Sequence, residues 1–314
     1  MRSRFVMLMA LAVAALSVTI ASSRFTYTLV PPPTAHASLP PRQSSYLGVF
    51  ESPTPSSYPQ IAGFGRLAGW LPNLAGYYSG WAEPFDTRFA NALHAHHVTP
   101  FVQIDPSHAS VDAIADGTYD DYLTQYADSV RAFGHAVVIG FGHEMNAPGN
   151  SWGYGHVKPS DFIAAWRHLV RLFDQQGADN VTWIWTVAAD QPGTGPVKEW
   201  WPGSAYVDWV GLDGFYYRPT DTFATVFGPM IRSIRRFAPR TPMLLSETAV
   251  GPRAGQLPGI LNLFGGMAKA GTLGLVWFDI DQDDGIYHQD WRLENDQVGE
   301  NAFRLAVGDY LSSS

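Results

Sequence analysis

The chain is 314 residues long, 46% hydrophobic and 14% aromatic, which is enough apolar material for one large core without a division into two domains. Its 20 basic and 28 acidic residues leave a net charge of -8, and no run of Lys or Arg forms a phosphate-binding stripe, so no nucleic-acid partner is expected. Cysteine is absent, which removes disulfides, thiolate metal sites and cysteine nucleophiles together.

The N-terminus reads as an export signal: Arg2 and Arg4 precede an apolar run from Phe5 to Ile20, and small residues follow. Small-x-small spacing offers cleavage after Ala21 or after Ala37, and the second is preferred because Pro31 to Pro33 and their neighbours read as an unstructured leader. The expected organisation is a signal and leader over 1–37 and one catalytic domain over 38–314. The mature chain is expected outside the cell, as a monomer with no stable membrane insertion. If the signal is not cleaved it is an N-terminal anchor, its apolar run falling just below the length that spans a bilayer comfortably.

From Tyr46 onward, short β-rich runs alternate with helix-patterned stretches. The expected strands are 46–51, 74–81, 99–105, 136–144, 181–188, 207–216, 242–249 and 272–280. Helices are expected over 119–133, 160–175 with Ser160 as a cap, 223–237, 257–270 and 300–312. Eight strand–helix repeats in roughly 270 residues have the size and rhythm of an α/β protein of the closed (β/α)8 TIM-barrel type. An open doubly wound sheet fits less well, because no glycine-rich phosphate loop follows an early strand.

Barrel chemistry sits at the C-terminal ends of the strands. The residues closing the runs are polar: Glu51, Asp105, His143, Glu144, Asn146, Asp213, Glu247, Asp279 and Asp281. A single carboxylate ending a strand is commonly a cap or an ion-pair partner. Glu144 and Glu247 stand apart because each closes a run that should be buried, with His143 beside one and Ser246 beside the other, and burying a charge is costly without a purpose. Two carboxylates on facing strands are what glycosidic cleavage requires.

The strand-four segment Gly140-Phe141-Gly142-His143-Glu144-Met145-Asn146 and the strand-seven segment Leu245-Ser246-Glu247-Thr248-Ala249 resemble glycoside hydrolase family 26, in the clan of retaining (β/α)8 glycanases. Residues 181–185, 206–214 and 275–292 extend the resemblance, which covers about 46–312. Family members include β-mannanases, mixed-linkage β-glucanases and β-1,3-xylanases. The resemblance implies Glu144 as general acid/base, Glu247 as nucleophile, His143 orienting the site and Trp277 as part of a sugar platform. Asp105, Asn146, Trp152, Asp213, Tyr216 and Trp81 complete the expected substrate-binding set. The expected partner is a β-linked polysaccharide or oligosaccharide, mannan or mixed-linkage glucan, with no cofactor and no metal.

Two departures from the family pattern bear on substrate. The family usually continues His-Glu-Met-Asn with Gly-x-Trp-Tyr-x-Trp-Gly, whereas here Gly149 and Asn150 replace the aromatic pair before Trp152. The strand-six motif usually ends in a tyrosine that hydrogen-bonds the nucleophile, and here it reads Asp213-Gly214-Phe215. Tyr216 compensates only with a changed backbone path, since consecutive strand residues face opposite sides.

Blander readings hold for the rest. His94, His96 and His97 sit near a helix C-terminus, where the dipole favours them, and Asp279, Asp281, Asp283 and Asp284 read as a solvated turn rather than a calcium loop. Two rival functions remain at this point: a non-catalytic glycan-binding barrel, and a metal-dependent deacetylase, which would want clustered His and Asp at strand ends.

Overall fold

The computed structural model describes residues 38–52, 57–189, 195–252, 255–284, 288–295 and 297–312. The export signal expected over 1–37 lies outside them. Among the described residues no helix is long and apolar enough to cross a membrane.

Eight parallel strands close into a barrel in chain order: β1 (Tyr46–Glu51), β2 (Leu74–Gly80), β3 (Thr99–Asp105), β4 (Val137–Phe141), β5 (Val181–Ala188), β6 (Trp209–Tyr216), β7 (Met243–Val250) and β8 (Gly274–Asp279). Closure is made by β1 on β8, in register from Tyr46 opposite Gly274 to Glu51 opposite Asp279. The outer layer consists of α1 (Tyr58–Ala68), α2 (Thr87–His94), α3 (Val111–Ala115), α4 (Asp120–Phe133), α5 (Pro159–Gln175), α6 (Phe223–Val226), α7 (Gly228–Arg235), α8 (Gln256–Ala270) and α9 (Gln297–Ser312).

Local chemistry explains the helix boundaries. α5 opens at Pro159, whose missing N–H costs nothing in a first turn and whose fixed φ suits it. Phe162, Ala165, Trp166, Leu169, Val170 and Phe173 then form its buried stripe. Ser160 is not the cap: Lys158 holds that position, and the Ser160 hydroxyl pairs with Asp161 inside the first turn. The helix expected over 223–237 is two short ones, because Pro229 cannot donate the N–H that would carry α6 through Phe227 into α7.

Strand alternation sorts the side chains into two sets. Phe50, Tyr78, Phe101 and Phe278 meet inside the barrel, with ring centroids 5.0 to 6.4 Å from that of Phe50. Tyr77 packs outward on Phe89 of α2, and Trp183 on Trp166 and Phe173 of α5. At the N-terminal end of the barrel, Ser38 and the Leu39 N–H reach the Thr182 hydroxyl at 3.0 and 3.1 Å.

Gly76 decides where the inner rings sit. A Cβ there would lie 2.4 to 2.5 Å from three atoms of the Phe50 ring. The Phe50 ring, held by Tyr78 and Phe101, has nowhere to retreat. Gly76→Ala is therefore expected to destabilise the fold by about 1–3 kcal/mol, as other overpacked cores are. A urea denaturation midpoint equal to that of the parent protein would show that Phe50 can move aside.

Candidate active site

The interior becomes polar toward the C-terminal ends of the strands. Gln103 Nε2 donates to Thr186 Oγ1 at 3.0 Å, and its Oε1 fills the space left by the absent side chain of Gly140. Ser246 donates to Asp213 Oδ1 at 2.5 Å. Asp213 Oδ2 is buried with no hydrogen-bond partner.

A bulge in β7 builds the next layer. Gly211 pairs with Leu244 but Asp213 with Glu247, and on the other side Leu245 pairs with Leu275 but Thr248 with Trp277. One extra residue is thus accommodated between Leu245 and Thr248. The bulge lets the consecutive Ser246 and Glu247 both face the interior, where strict alternation would turn one outward.

β4 ends earlier than expected, at Phe141 rather than 144. The chain then turns through Gly142 (φ 56°) and Glu144 (φ 52°), and a left-handed non-glycine residue costs about 1–3 kcal/mol. Several contacts hold this turn. The Glu144 N–H donates to Thr186 O at 3.0 Å. Asn150 Nδ2 and Trp152 Nε1 both donate to the His143 carbonyl, at 3.1 and 2.8 Å.

His143 is the cation of the site. Its Nδ1 lies 2.9 Å from Asp105 Oδ1. Burial alone would depress its pKa, but the charge and hydrogen bond of Asp105, with the charges of Glu247 and Glu144, push it up to about 10. Burial raises the Glu144 carboxyl above its usual range, and the His143 charge opposes it. Glu247, 6% exposed, is pushed up to about 7 by burial, with the His143 cation pulling down and the Glu144 charge pushing up. Asp213 is raised by burial and by the charges of Glu247 and Glu144.

The geometry gathers Asp105, His143, Glu144, Asp213 and Glu247 into one cluster and places the other expected residues elsewhere. Asn146 is fully buried and spends its amide on the backbone of Ala188, donating to the carbonyl and accepting from the N–H, both at 2.9 Å. It clamps the turn after β4 to the end of β5 rather than facing a sugar. Trp152 is 6% exposed and lies beneath His143. Trp277 is buried on the outer face of β8, packed on Phe303 of α9 at 5.0 Å, with its Nε1 donating to Trp291 O, so it is no platform. Trp81 packs against Tyr119, Tyr122 and Phe141 on the outer side of the barrel. Tyr216 also points outward, its hydroxyl donating to Asn262 Oδ1 at 3.1 Å, so it does not replace the missing phenol.

Parity separates the remaining strand-end carboxylates as well. Glu51 and Asp279 are register partners on the outer faces of β1 and β8 and line a separate cleft of about 510 Å³ with Arg66, Arg292 and Glu294. Asp281 forms an ion pair with Arg292 at 3.0 Å. His94 stacks on His135 and His96 on Tyr58, with centroids 3.4 and 3.5 Å apart. Tyr78 is the site residue that the sequence reading passed over. It shares the inner face of β2 with Gly76, and its phenol interacts with Glu247. Period-two counting from Gly76 would have found it.

Residues 104–297 match the model of Glycosyl hydrolase family 26. The chain belongs to that family. Endoglucanase H of Acetivibrio thermocellus is 25% identical over 272 residues, 81% of this chain and 29% of that protein. Beta-1,3-xylanase TXYA of a Vibrio species is 32% identical over 113 residues, 35% of this chain and 23% of that protein. The chain thus spans under a third of the length of either curated relative. The fold is shared with a Cellulomonas fimi endo-beta-1,4-mannanase double mutant, with a TM-score of 0.65 and 13% identity over 89% of this chain and 76% of that one. Within the family 26 barrel, the Phe215 ring packs on Trp291 and Phe278 at 4.9 and 5.5 Å, an apolar contact that leaves no hydroxyl toward Glu247.

Two outcomes follow from this arrangement. Asn146→Ala strands the buried N–H and carbonyl of Ala188, at about 1–3 kcal/mol for each group left unpaired. Its effect is expected in the denaturation midpoint, and an unchanged midpoint with a raised KM would return Asn146 to the sugar-binding set. His143→Gln removes the cation that pulls the Glu247 pKa down. The acid limb of the kcat/KM profile is expected to move to higher pH, by about one pH unit; an unmoved limb would mean that His143 does not set that ionisation.

Proposed function

We propose that the protein is a secreted, retaining endo-β-glycanase that cleaves a β-linked polysaccharide by double displacement, with Glu144 as general acid/base and Glu247 as nucleophile. The carrying observation is that two carboxyls, the half-buried Glu144 beyond the end of β4 and the buried Glu247 of β7, meet at one histidine cation. Both are raised by burial, and the charge of Glu144 pushes Glu247 up further; coupling between two such groups is shared by the pair. One proton shared by the pair is the starting state a glycosidase needs.

In the first step Glu144 gives its proton to the glycosidic oxygen while the Glu247 carboxylate bonds to the anomeric carbon, and the C–O bond to the leaving sugar breaks. Ester formation removes the charge of Glu247, so the pKa of Glu144 falls and its carboxylate can take a proton from water. That water attacks the same carbon, the ester bond breaks, and Glu247 leaves as a carboxylate with Glu144 reprotonated. The His143 cation compensates the net negative charge throughout, and Asp105 holds its ring.

The relatives named as an endoglucanase and a β-1,3-xylanase support a β-linked glycan as substrate. Mannan and mixed-linkage glucan are the proposed candidates. Export is supported by the apolar run from Phe5 to Ile20 behind Arg2 and Arg4.

Azide tests the roles of the two glutamates. With Glu247→Ala, azide occupies the vacated site and attacks an activated β-glycoside directly, giving an α-glycosyl azide. With Glu144→Ala, the covalent intermediate forms from a substrate whose leaving group needs no proton, and azide converts it to a β-glycosyl azide. Opposite anomeric configurations are expected by proton NMR. Swapped configurations would reverse the roles, and inversion by the parent enzyme would end the retaining proposal.

A further inference from the structure

Glu247 Oε1 is buried without a hydrogen-bond partner, an expensive condition for a carboxylate that has to ionise and stay aimed. The aromatic residues of β6 do not relieve it: Phe215 has no hydroxyl, and the Tyr216 phenol is committed to Asn262 outside the barrel. Across the interior, Tyr78 of β2 presents the hydroxyl that β6 lacks. Its ring is held on two sides, stacked on Phe50 at 5.0 Å and 23° and tilted against His143 at 5.5 Å and 40°.

We propose that Tyr78 is the positioning residue of the nucleophile, its phenol donating to the Glu247 carboxylate and holding it aimed at the anomeric carbon. The inference rests on the reading of Glu247 as nucleophile. Burial, with the charge and hydrogen bonding of Glu247 and the charges of Asp213 and Asp105, raises the phenol well above its ordinary pKa, so it remains a donor across the working range. Reciprocally, its hydrogen bonding lowers the Glu247 pKa. With no phenol offered inward by β6, the donor comes from across the barrel, and the packing that seats Phe50 over Gly76 also seats the Tyr78 ring.

Tyr78→Phe keeps the ring and its stacking and removes the donor. Turnover is expected to fall about 10- to 100-fold with KM little changed, as for loss of a hydrogen bond to a charged group. The acid limb of kcat/KM should also move to higher pH, since the Glu247 pKa rises without its donor. In the Glu247→Ala background rescued by azide, adding Tyr78→Phe should leave the azide-dependent rate unchanged, because the phenol then has no carboxylate to act through. An equal loss in that background would mean that the phenol acts on the sugar, and parent-like kcat and acid limb in Tyr78→Phe would also overturn the inference. Full hydrolysis by Glu247→Ala without azide would instead bring down the underlying assignment of the nucleophile. Should Tyr78→Phe not fold, 3,5-difluorotyrosine at position 78, a more acidic donor, is expected to move the acid limb to lower pH; an unmoved limb would overturn the inference.

Discussion

In a closed parallel barrel each strand offers alternate residues to the interior, so two consecutive functional side chains cannot both face the site while the ladder stays regular. The bulge in β7 breaks this constraint beside the cluster, and the site is arranged around it. Ser246 reaches down to Asp213, and Glu247, one residue on, reaches the layer of Tyr78, His143 and Glu144. Without the extra residue, keeping Ser246 inward would send Glu247 to the helix side.

Electrostatics then depends on a single cation. Three carboxyls, Glu144, Asp213 and Glu247, are lifted by burial, and each feels the His143 imidazolium as an opposing influence. His143 is itself held charged by Asp105. The positive charge is therefore fixed by a partner outside the proposed acid/base and nucleophile pair, which leaves that pair free to pass a proton between states. The carbonyl of the same histidine is tied down by Asn150 and Trp152, so its position and its charge have separate supports.

The strands were largely legible in the sequence because their burial leaves long apolar runs: β1, β3 and β5 have the expected bounds. The polar cluster was legible for a related reason, since carboxylates closing such runs are conspicuous. What could not be read was which face each residue takes once regularity ends. Trp277 and Tyr216 are aromatic residues on strands that help build the site, yet parity turns both outward. Asn146 lies beyond the end of β4, in a turn whose left-handed residues include Glu144, a conformation no propensity favours. Tyr78 stands on β2, a strand that carries no motif, so only its parity with Gly76 marks it as facing the interior.

The two glutamates are anchored in different ways. Glu247 belongs to the strand ladder, whereas Glu144 hangs beyond it, in a strained turn held by the Asn146 clamp and a few side-chain donors. Regions with few ladder hydrogen bonds open at lower free energy than the structure around them. On warming, the turn carrying Glu144 should thus open before the barrel does, so that the temperature at which chemistry stops lies below the temperature at which the fold melts. Heat tolerance of the chemistry proposed for Glu144 is then set by the turn after β4 before it is set by the barrel.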